Sequence, residues 1–279
     1  MEASPQTARY RGPSAIGDDL RRFWGLTVTL AVTDFKLRFF GSALGYVWTL
    51  MRPLLLFGVL YVVFTEVVRF GGDVKHYPVY LLMAIVFFTY FAETTSRGVT
   101  SLIDRENLLR KVRFPRLVIP LAEALHALFN LGLNLIVVFV FVFASGIEPR
   151  VEWLGLVPLI VLLVLFSTGV TMLISALYVR YRDVQPIWEV VLQMLFYASP
   201  VIYVTSTFPD SVEQEAMVNP LTSILTEARY LLIDPAAPSA AEAIGGTARL
   251  LIPLLVILGV FVLGAWVFMR EAPRIAEEL

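Results

Sequence analysis

Five ionisable residues lie inside otherwise apolar segments of this sequence. They are Arg52, Glu93, Arg97, Glu123 and Glu189. Charged side chains are costly inside a membrane, and those that occur there commonly mark substrate paths, ion pairs or proton relays. These five are therefore the first candidates for chemistry, although Glu189 lies near the start of its segment and can reach the interface.

Each of the deeper charges has a functional and a structural interpretation. Glu93 and Arg97 are four residues apart with the acid first, the favourable order for an ion pair on one helix, so they can neutralise each other. Arg52 and Arg97 can receive an anionic headgroup such as a phosphate, or extend to the headgroup layer along their apolar stems. Glu123 lies one turn from His126, which permits either a proton relay or hydrogen bonds between helices.

A second group of charges forms a short island between two long apolar runs. The island covers residues 104–115 and reads DRENLLRKVRFP. If it is helical, its leucines form one apolar edge. Two interpretations follow from the residues: a solvated loop that only sets topology, since loops rich in Lys and Arg stay cytoplasmic, or a docking helix for a cytoplasmic partner.

The composition is that of an integral membrane protein. Of the 279 residues, 58% are hydrophobic and 16% are charged, against roughly 25% charged residues in soluble domains. The absence of cysteine excludes disulfides and zinc-thiolate sites, and two histidines are too few for a His-rich metal site. The sequence contains no phosphate-cradling G-x-x-x-x-G-K-[ST] motif and no HExxH or G-x-S-x-G motif, so we predict neither an enzyme nor a bound cofactor in this chain.

The pattern of apolar runs predicts an all-α membrane protein with six spans. The spans cover about 43–68, 77–103, 117–144, 154–179, 186–203 and 248–269. The fifth is short for a bilayer that needs about 20 residues, and Pro200 interrupts it. In the mixed stretch that follows, Asn219 is a plausible helix cap and Pro220 a good first residue, so we expect short re-entrant helices on the outer side.

The domain boundaries follow from the same pattern. Residues 1–15 are a polar, flexible arm. Residues 16–40 carry apolar residues at helical spacing with charges between them, which predicts an amphipathic helix in the membrane interface with Trp24 at headgroup depth. Residues 41–270 form the six-span domain, including the re-entrant region at 199–247, and residues 271–279 are a charged tail.

The distribution of basic residues predicts the orientation. Fifteen of the 22 Lys and Arg residues fall on the side of the termini, and five fall on the opposite side, with Arg52 and Arg97 inside spans. Cytoplasmic loops carry the excess of Lys and Arg. Both termini and the charged island are therefore predicted to be cytoplasmic.

Five motifs in order give the sequence a family resemblance. They are DFKLRFFGSALGYVWTLMRPLL, the island in ENLLRKVRFPRLVIPLAEAL, the turn YVRYRDV, the break ASPVIY and the stretch NPLTSILTEARYLL. Over residues 20–270 the chain resembles the transmembrane (permease) subunit of ABC polysaccharide exporters of the O-antigen and teichoic-acid type. The resemblance implies a homodimer in the bacterial inner membrane, two separate cytoplasmic ATPase subunits that bind ATP and Mg, and export of a lipid-linked polysaccharide.

The resemblance also assigns roles to particular residues. It implies that the island is the coupling helix that enters the ATPase, formed by Asp104, Arg105, Glu106, Asn107, Leu108, Leu109, Arg110, Lys111 and Arg113. It implies that the interface helix is a gate helix, with Phe23, Trp24, Phe35, Lys36 and Arg38 as its characteristic residues. Arg52 stands where an uncharged residue is expected in many relatives. Arg52 and Arg97 are candidates for contact with a substrate headgroup.

Aromatic residues within the spans leave two interpretations open. Aromatic faces stack on sugar rings, and they also pack against lipid tails and other helices. The candidates for a glycan path are Trp48, Tyr61, Tyr90, Phe91, Phe196 and Tyr197. The competing functions are a permease of the same architecture that exports a drug or a lipid, and an inactive membrane scaffold.

Overall fold

The computed structural model describes residues 20–39, 45–68, 74–106 and 115–272, without the side chains of residues 38, 39 and 46. The described residues are helical with no strand, as an all-α membrane protein requires. The α-helices are α1 (Leu20–Phe39), α2 (Gly45–Tyr61), α3 (Tyr77–Asp104), α4 (Val118–Ala144), α5 (Leu156–Arg180), α6 (Val184–Ala198), α7 (Asp210–Ala216), α8 (Pro220–Leu232), α9 (Ala240–Ala243) and α10 (Leu251–Glu271). A π-helical segment, Val62–Val67, extends α2, and short 3₁₀ turns precede α5 and α10.

The central helix of the bundle is α3. Its residues from Tyr77 to Phe91 are almost all buried, and it contacts α2, α4, α5, α6 and α8. An uninterrupted run of apolar residues, including seven consecutive fully enclosed positions at 81–87, suits a helix that is surrounded on every side. Pro78 lies in its first turn, where a missing N–H leaves no bond unmade.

Small residues allow three of the helices to approach closely. A Cβ on Gly98 of α3 would overlap the methyl group of Thr171 in α5. A Cβ on Gly169 of α5 would lie 2.6 Å from the Cα of Phe261 in α10, and one on Gly264 would overlap the Gly169 carbonyl. Helix pairs in membranes are held mainly by such close packing, because lipid is as apolar as the side chains it replaces.

The bundle has two chemically distinct ends. We call the end where α3, α5 and α10 finish the basic end, because Arg105, Arg180 and Arg270 lie there. An apolar cluster at this end joins α1, α3, α4, α5 and α10 through Phe23, Leu102, Ile119, Met172 and Phe268. The opposite end, which we call the far end, begins at Tyr77.

The helix α1 packs onto the basic end along one narrow face. Phe23, Thr27 and Ala31 recur at every fourth position and are buried, whereas Trp24 and Val28 are exposed. The Thr27 hydroxyl donates to the Phe23 carbonyl at 3.0 Å, which satisfies the hydroxyl inside an apolar contact. Of the stretch predicted to be an amphipathic interface helix, 16–40, residues 20–39 form α1, and its placement in a membrane interface stays a prediction.

Five helical segments are long and apolar enough to span a bilayer among the described residues. They are Val47–Val67, Tyr77–Asp104, Val118–Ala144, Val151–Arg180 and Thr247–Glu271. These segments correspond to five of the six predicted spans. The remaining prediction, residues 186–203, falls on α6, which has 15 residues and is about 22 Å long.

The segment that contains α6 nevertheless runs from one end of the bundle to the other. Near its start, the Tyr178 hydroxyl donates to Gln185 Oε1 at 3.1 Å at the basic end. Beyond Ser199, which ends α6, the Tyr77 hydroxyl donates to the Ile202 carbonyl at 2.7 Å at the far end. The helix thus ends at Ala198, at the predicted break Ser199-Pro200, and turns and bends lead the chain on to the far end.

Candidate functional site

Four charged residues from three helices meet near the basic end. The Glu123 carboxylate on α4 accepts from Arg97 Nε at 3.0 Å and from Arg105 Nη2 at 2.7 Å. The same Arg105 Nη2 also bonds Asp34 Oδ2 on α1. We call Asp34, Arg97, Arg105 and Glu123 the ion cluster; its two acids and two bases balance in formal charge.

Burial makes this ion cluster more than a surface feature. Glu123 is only 4% exposed, so its charge depends on the two guanidinium groups for compensation. Burial by itself lowers the pKa of Arg105, but hydrogen bonds and charges from Asp34 and Glu123 outweigh it and raise that pKa. Arg105 therefore remains a cation that holds α1 and α4 together at the point where α3 ends.

Aromatic and amide side chains continue this junction into the bundle. The Phe35 ring of α1 lies edge-on to His126 at 5.8 Å and to Phe129 at 5.6 Å between centroids. One turn further along α4, Asn130 Nδ2 donates to Glu93 Oε1 at 2.9 Å. This bond is one of the helix-to-helix hydrogen bonds that the sequence permitted, and it links α4 to α3.

The outward faces of α2 and α6 form a second polar feature. Trp48, Arg52, Leu55 and Val59 are exposed at gaps of four, three and four along α2, which places them on one face of that helix. The corresponding exposed row on α6 contains Glu189, Gln193 and Tyr197. We refer to these two rows as the outward polar faces; Gln193 belongs to them although the sequence reading did not single it out.

The chain matches the ABC-2 type transporter family over residues 26–233. This range contains the whole ion cluster and both outward polar faces.

The chain belongs to the ABC-2 type transporter family.

Curated relatives of this ABC-2 transporter share most of its length. An O-antigen export system permease protein from Myxococcus xanthus is 31% identical over 226 residues, which cover 80% of this chain and 85% of that protein. A protein of the same name from Klebsiella pneumoniae is 29% identical over 217 residues, covering 77% and 83%. A polysialic acid transport protein from Escherichia coli is 20% identical over 201 residues, covering 72% and 78%.

The predicted coupling residues of this ABC-2 transporter fall only partly within the structure. Asp104 ends α3, where it accepts from the Thr100 hydroxyl at 2.7 Å, and Arg105 belongs to the ion cluster. Glu106 follows as the last described residue of this stretch. The remaining six lie outside the described residues: Asn107, Leu108, Leu109, Arg110, Lys111 and Arg113.

The predicted gate-helix residues take different positions on α1. Phe23 is buried in the apolar cluster at the basic end, and Phe35 packs on α4. Trp24 and Lys36 are exposed, and the side chain of Arg38 lies outside the described residues. The structure thus divides α1 of this ABC-2 transporter into a face that packs on the bundle and a face that looks away from it.

The predicted path aromatics also separate by environment. Trp48 and Tyr197 lie on the outward polar faces, while Tyr61 is half-buried and stacks on Phe57 at 5.7 Å. Tyr90 and Phe91 are enclosed within the chain. Phe91 stacks on Phe166 at 5.3 Å, and half-buried Phe196 packs edge-on against Phe88 at 5.1 Å.

The predicted headgroup arginines of this ABC-2 transporter are also far from equivalent. Arg52 looks outward from α2, whereas Arg97 donates to Glu123 within the ion cluster. The pairing with Glu123 is not the intrahelical pair with Glu93 that spacing favoured. Among the described residues, no group of three or more His, Asp or Glu side chains is arranged to hold a metal ion.

Proposed function

We propose that this chain is the membrane subunit of an ATP-driven exporter that moves a lipid-linked polysaccharide across the bacterial inner membrane. The observation that carries the proposal is the similarity to O-antigen export permeases, which extends over about four-fifths of the chain. The second kind of relative, a polysialic acid transport protein, is named for a different glycan. A polysaccharide substrate is the feature that the two names share.

The proposed orientation places the basic end in the cytoplasm. It follows from the excess of Lys and Arg at that end. A separate ATPase subunit then binds there, takes up ATP and Mg, and contacts residues 104–113. The lipid-linked glycan enters from this side and leaves at the far end.

The outward polar faces support assembly with a second copy. Arg52, Glu189 and Gln193 look away from the bundle of their own chain, although charged residues in membranes almost always face a protein interior or a water-filled cavity. A second copy placed against α2 and α6 converts both faces into such an interior. The proposed glycan path therefore runs between two copies and is lined by Trp48 and Tyr197.

The ion cluster supplies the proposed route from ATP to the path. Arg105 immediately follows α3 and lies within the stretch proposed to contact the ATPase, and it bonds both Asp34 and Glu123. A displacement of residues 104–113 therefore acts on α1 and α4 together, since one guanidinium holds both. In this mechanism α1 moves with the coupling stretch and opens or closes the cytoplasmic entrance.

The composition of the native complex tests the proposal directly. We expect native mass spectrometry, after gentle extraction from the membrane, to detect two copies of this 31.3 kDa chain with two copies of an ATP-binding subunit. Recovery of the chain alone, or with a partner unrelated to ATPases, would contradict the coupling mechanism.

The substrate class needs a separate test in cells. Cells that lack this chain should accumulate a lipid-linked glycan on the cytoplasmic side, and the wild-type chain should clear it. If the complex contains an ATPase but no glycan accumulates, the substrate is another amphiphile, such as a drug or a lipid.

A further inference from the structure

The far end contains a buried arginine that forms no ion pair with any acid of the described residues. Arg229, in the last turn of α8, is only 9% exposed. Its Nε atom is enclosed and makes no hydrogen bond within the part of the chain that the structure describes. No carboxylate of the described residues lies within 4.0 Å of its guanidinium group. A buried cation in this state is strongly disfavoured unless an anion compensates it.

The carboxylates near Arg229 in the sequence accept hydrogen bonds from backbone N–H groups. Glu227 accepts from the Ala240 N–H at 2.8 Å. Asp234, which is itself buried, accepts from the Ala236 N–H at 3.2 Å. These acids fix the turns on either side of Arg229, but neither forms an ion pair with it.

The partner that the structure gives Arg229 is an aromatic face. Its guanidinium carbon lies 5.8 Å from the centroid of the Tyr80 ring on α3. The Tyr80 hydroxyl is occupied elsewhere, because it donates to the carbonyl groups of Pro200 and Tyr203. A cation–π contact offsets part of a desolvated charge and leaves the N–H donors of the guanidinium available.

The far end holds Arg229 in a fixed position. Tyr77 and Tyr80 tie residues 200–203 to α3, and Asn219 Nδ2 donates to the Ser199 hydroxyl at 3.0 Å. Asn219 also caps α8, the helix that carries Arg229. These contacts fix the start of α8 and the Tyr80 ring, so the helix that carries Arg229 and the ring against which its guanidinium lies are both held in place.

Arg229 and Tyr80 lie at the depth of the lipid headgroups if α3 is centred in the membrane. Helix α3 has 28 residues and is about 42 Å long, roughly 12 Å more than the hydrocarbon core of a bilayer. Tyr80 lies one turn from its far end. A helix centred in the membrane therefore places Tyr80 and Arg229 in the layer that contains lipid phosphates.

We propose that Arg229, backed by the Tyr80 ring, binds the phosphate group of a membrane lipid at the far end of the bundle. Guanidinium groups bind phosphate through paired, charge-assisted hydrogen bonds. The phosphate belongs either to a phospholipid or to the lipid carrier of an exported molecule, since both present the same group at this depth. This site goes beyond the proposed export function and does not depend on which glycan is moved.

The test uses the full chain in nanodiscs, without an ATPase or a glycan, so that its failure is separable from failure of the export proposal. Native mass spectrometry counts the phosphatidylglycerol and the phosphate-free monogalactosyldiacylglycerol retained from an equal mixture. We expect the wild type to retain phosphatidylglycerol preferentially. Arg229→Gln should weaken that retention about tenfold or more, the effect of losing hydrogen bonds to a charged group.

Arg249→Gln is the matched control, because Arg249 is another arginine of the far end and bonds Gln214. It should retain phosphatidylglycerol like the wild type.

Arg229→Lys keeps the charge without the planar fork, and should bind more weakly than the wild type even if Arg229→Gln does not fold. Inorganic pyrophosphate, added to the wild type, tests whether the phosphate must belong to a lipid. Protection against thermal unfolding shows that phosphate alone suffices, and retention of lipid without this protection shows that the acyl anchor is required. Equal retention of the two lipids by the wild type, or unchanged retention in both Arg229 variants, would overturn the proposal.

Discussion

At the scale of single residues, Glu123 has the most demanding position. It is buried and accepts hydrogen bonds from two arginines. Arg97 lies inside a span, and Arg105 belongs to the stretch proposed to contact the ATPase. Removing one partner of a buried ion pair leaves an uncompensated charge, and this is more damaging than removing both partners together. The stability of the chain should therefore be sensitive to substitutions in the ion cluster that remove one charge and preserve the shape of the side chain.

Glu123→Gln should destabilise the folded chain by about 2–3 kcal/mol, below the full effect of a buried pair because Arg97 is partly exposed. The loss arises because Arg97 loses the carboxylate that it bonds, and the largely buried Arg105 keeps only Asp34 of its two carboxylate partners. Thermal unfolding of the purified chain in detergent measures it. Glu189→Gln is the control, since Glu189 is exposed on α6, where it accepts from Gln185 Nε2 at 3.3 Å. Equal effects of the two substitutions would contradict the assigned role of Glu123.

Asp34→Asn should uncouple transport from ATP hydrolysis. The amide keeps the size of the side chain but weakens the bond that joins α1 to Arg105. Substitutions in a coupling network change the coupling by about 0.5–2 kcal/mol, or about two- to thirtyfold, so export should fall by a factor in this range. ATP hydrolysis by the assembled complex should change less, and it is measured in parallel with glycan export. Asp183→Asn, in the exposed turn before α6, serves as the control; a fall in hydrolysis that equals the fall in export would argue against uncoupling.

At the scale of helices, the close crossing of α5 and α10 depends on glycine, which has no side chain, at the point of contact. Gly169→Ala places a Cβ 2.6 Å from the Phe261 backbone, and a backbone atom cannot rotate away as a flexible side chain can. Overpacking of this kind is expected to destabilise the chain by about 1–3 kcal/mol. The control is Gly259→Ala in α10, where nothing lies within 4 Å. A lower unfolding temperature for Gly169→Ala and an unchanged or higher one for Gly259→Ala is the expected result.

The start of α8 offers a test that separates two contacts of one residue. Asn219 Oδ1 accepts from the Leu221 N–H at 3.1 Å, and Nδ2 donates to Ser199. Asn219→Ala removes both contacts and should lower stability by about 1–2 kcal/mol. Asn219→Asp keeps a capping oxygen and loses the donor, so it should fall between the wild type and Asn219→Ala in thermal unfolding. If Asn219→Asp is as destabilised as Asn219→Ala, the cap contributes nothing.

The helices show which features the sequence can predict and which features it cannot. The start of α8 followed from local signals, because the cap Asn219 and the first residue Pro220 act over neighbouring residues. The ion cluster did not follow, because the partner of Arg97 is 26 residues away on another helix, whereas spacing suggested a partner one turn away. Likewise, the packed face of α1 includes Thr27, which a search for apolar periodicity passes over. Contacts that depend on how helices cross need the fold as well as the sequence.

At the scale of the whole molecule, the exposed faces of α2 and α6 predict where a second copy binds. The chain has no cysteine, so a single introduced thiol reports one position. Val59→Cys lies on the outward face of α2 at 63% exposure, and Leu255→Cys lies on α10 at 64%. A flexible bismaleimide should link Val59→Cys chains into dimers and leave Leu255→Cys chains mainly monomeric. The reverse pattern would place the second copy against α10.

The length of α3 has a mechanical consequence. Arg105 immediately follows one end of this helix, and Tyr77 and Tyr80 hold residues 200–203 at the other. A stiff rod of about 42 Å that tilts by about 5° displaces its tip by about 4 Å. We therefore expect α3 to act as a lever: a displacement of its basic end moves residues 200–203 at the far end, in addition to the movement that Arg105 passes to α1 and α4. Distances between spin labels across the far end, measured with and without ATP bound to the proposed ATPase subunit, would detect this displacement.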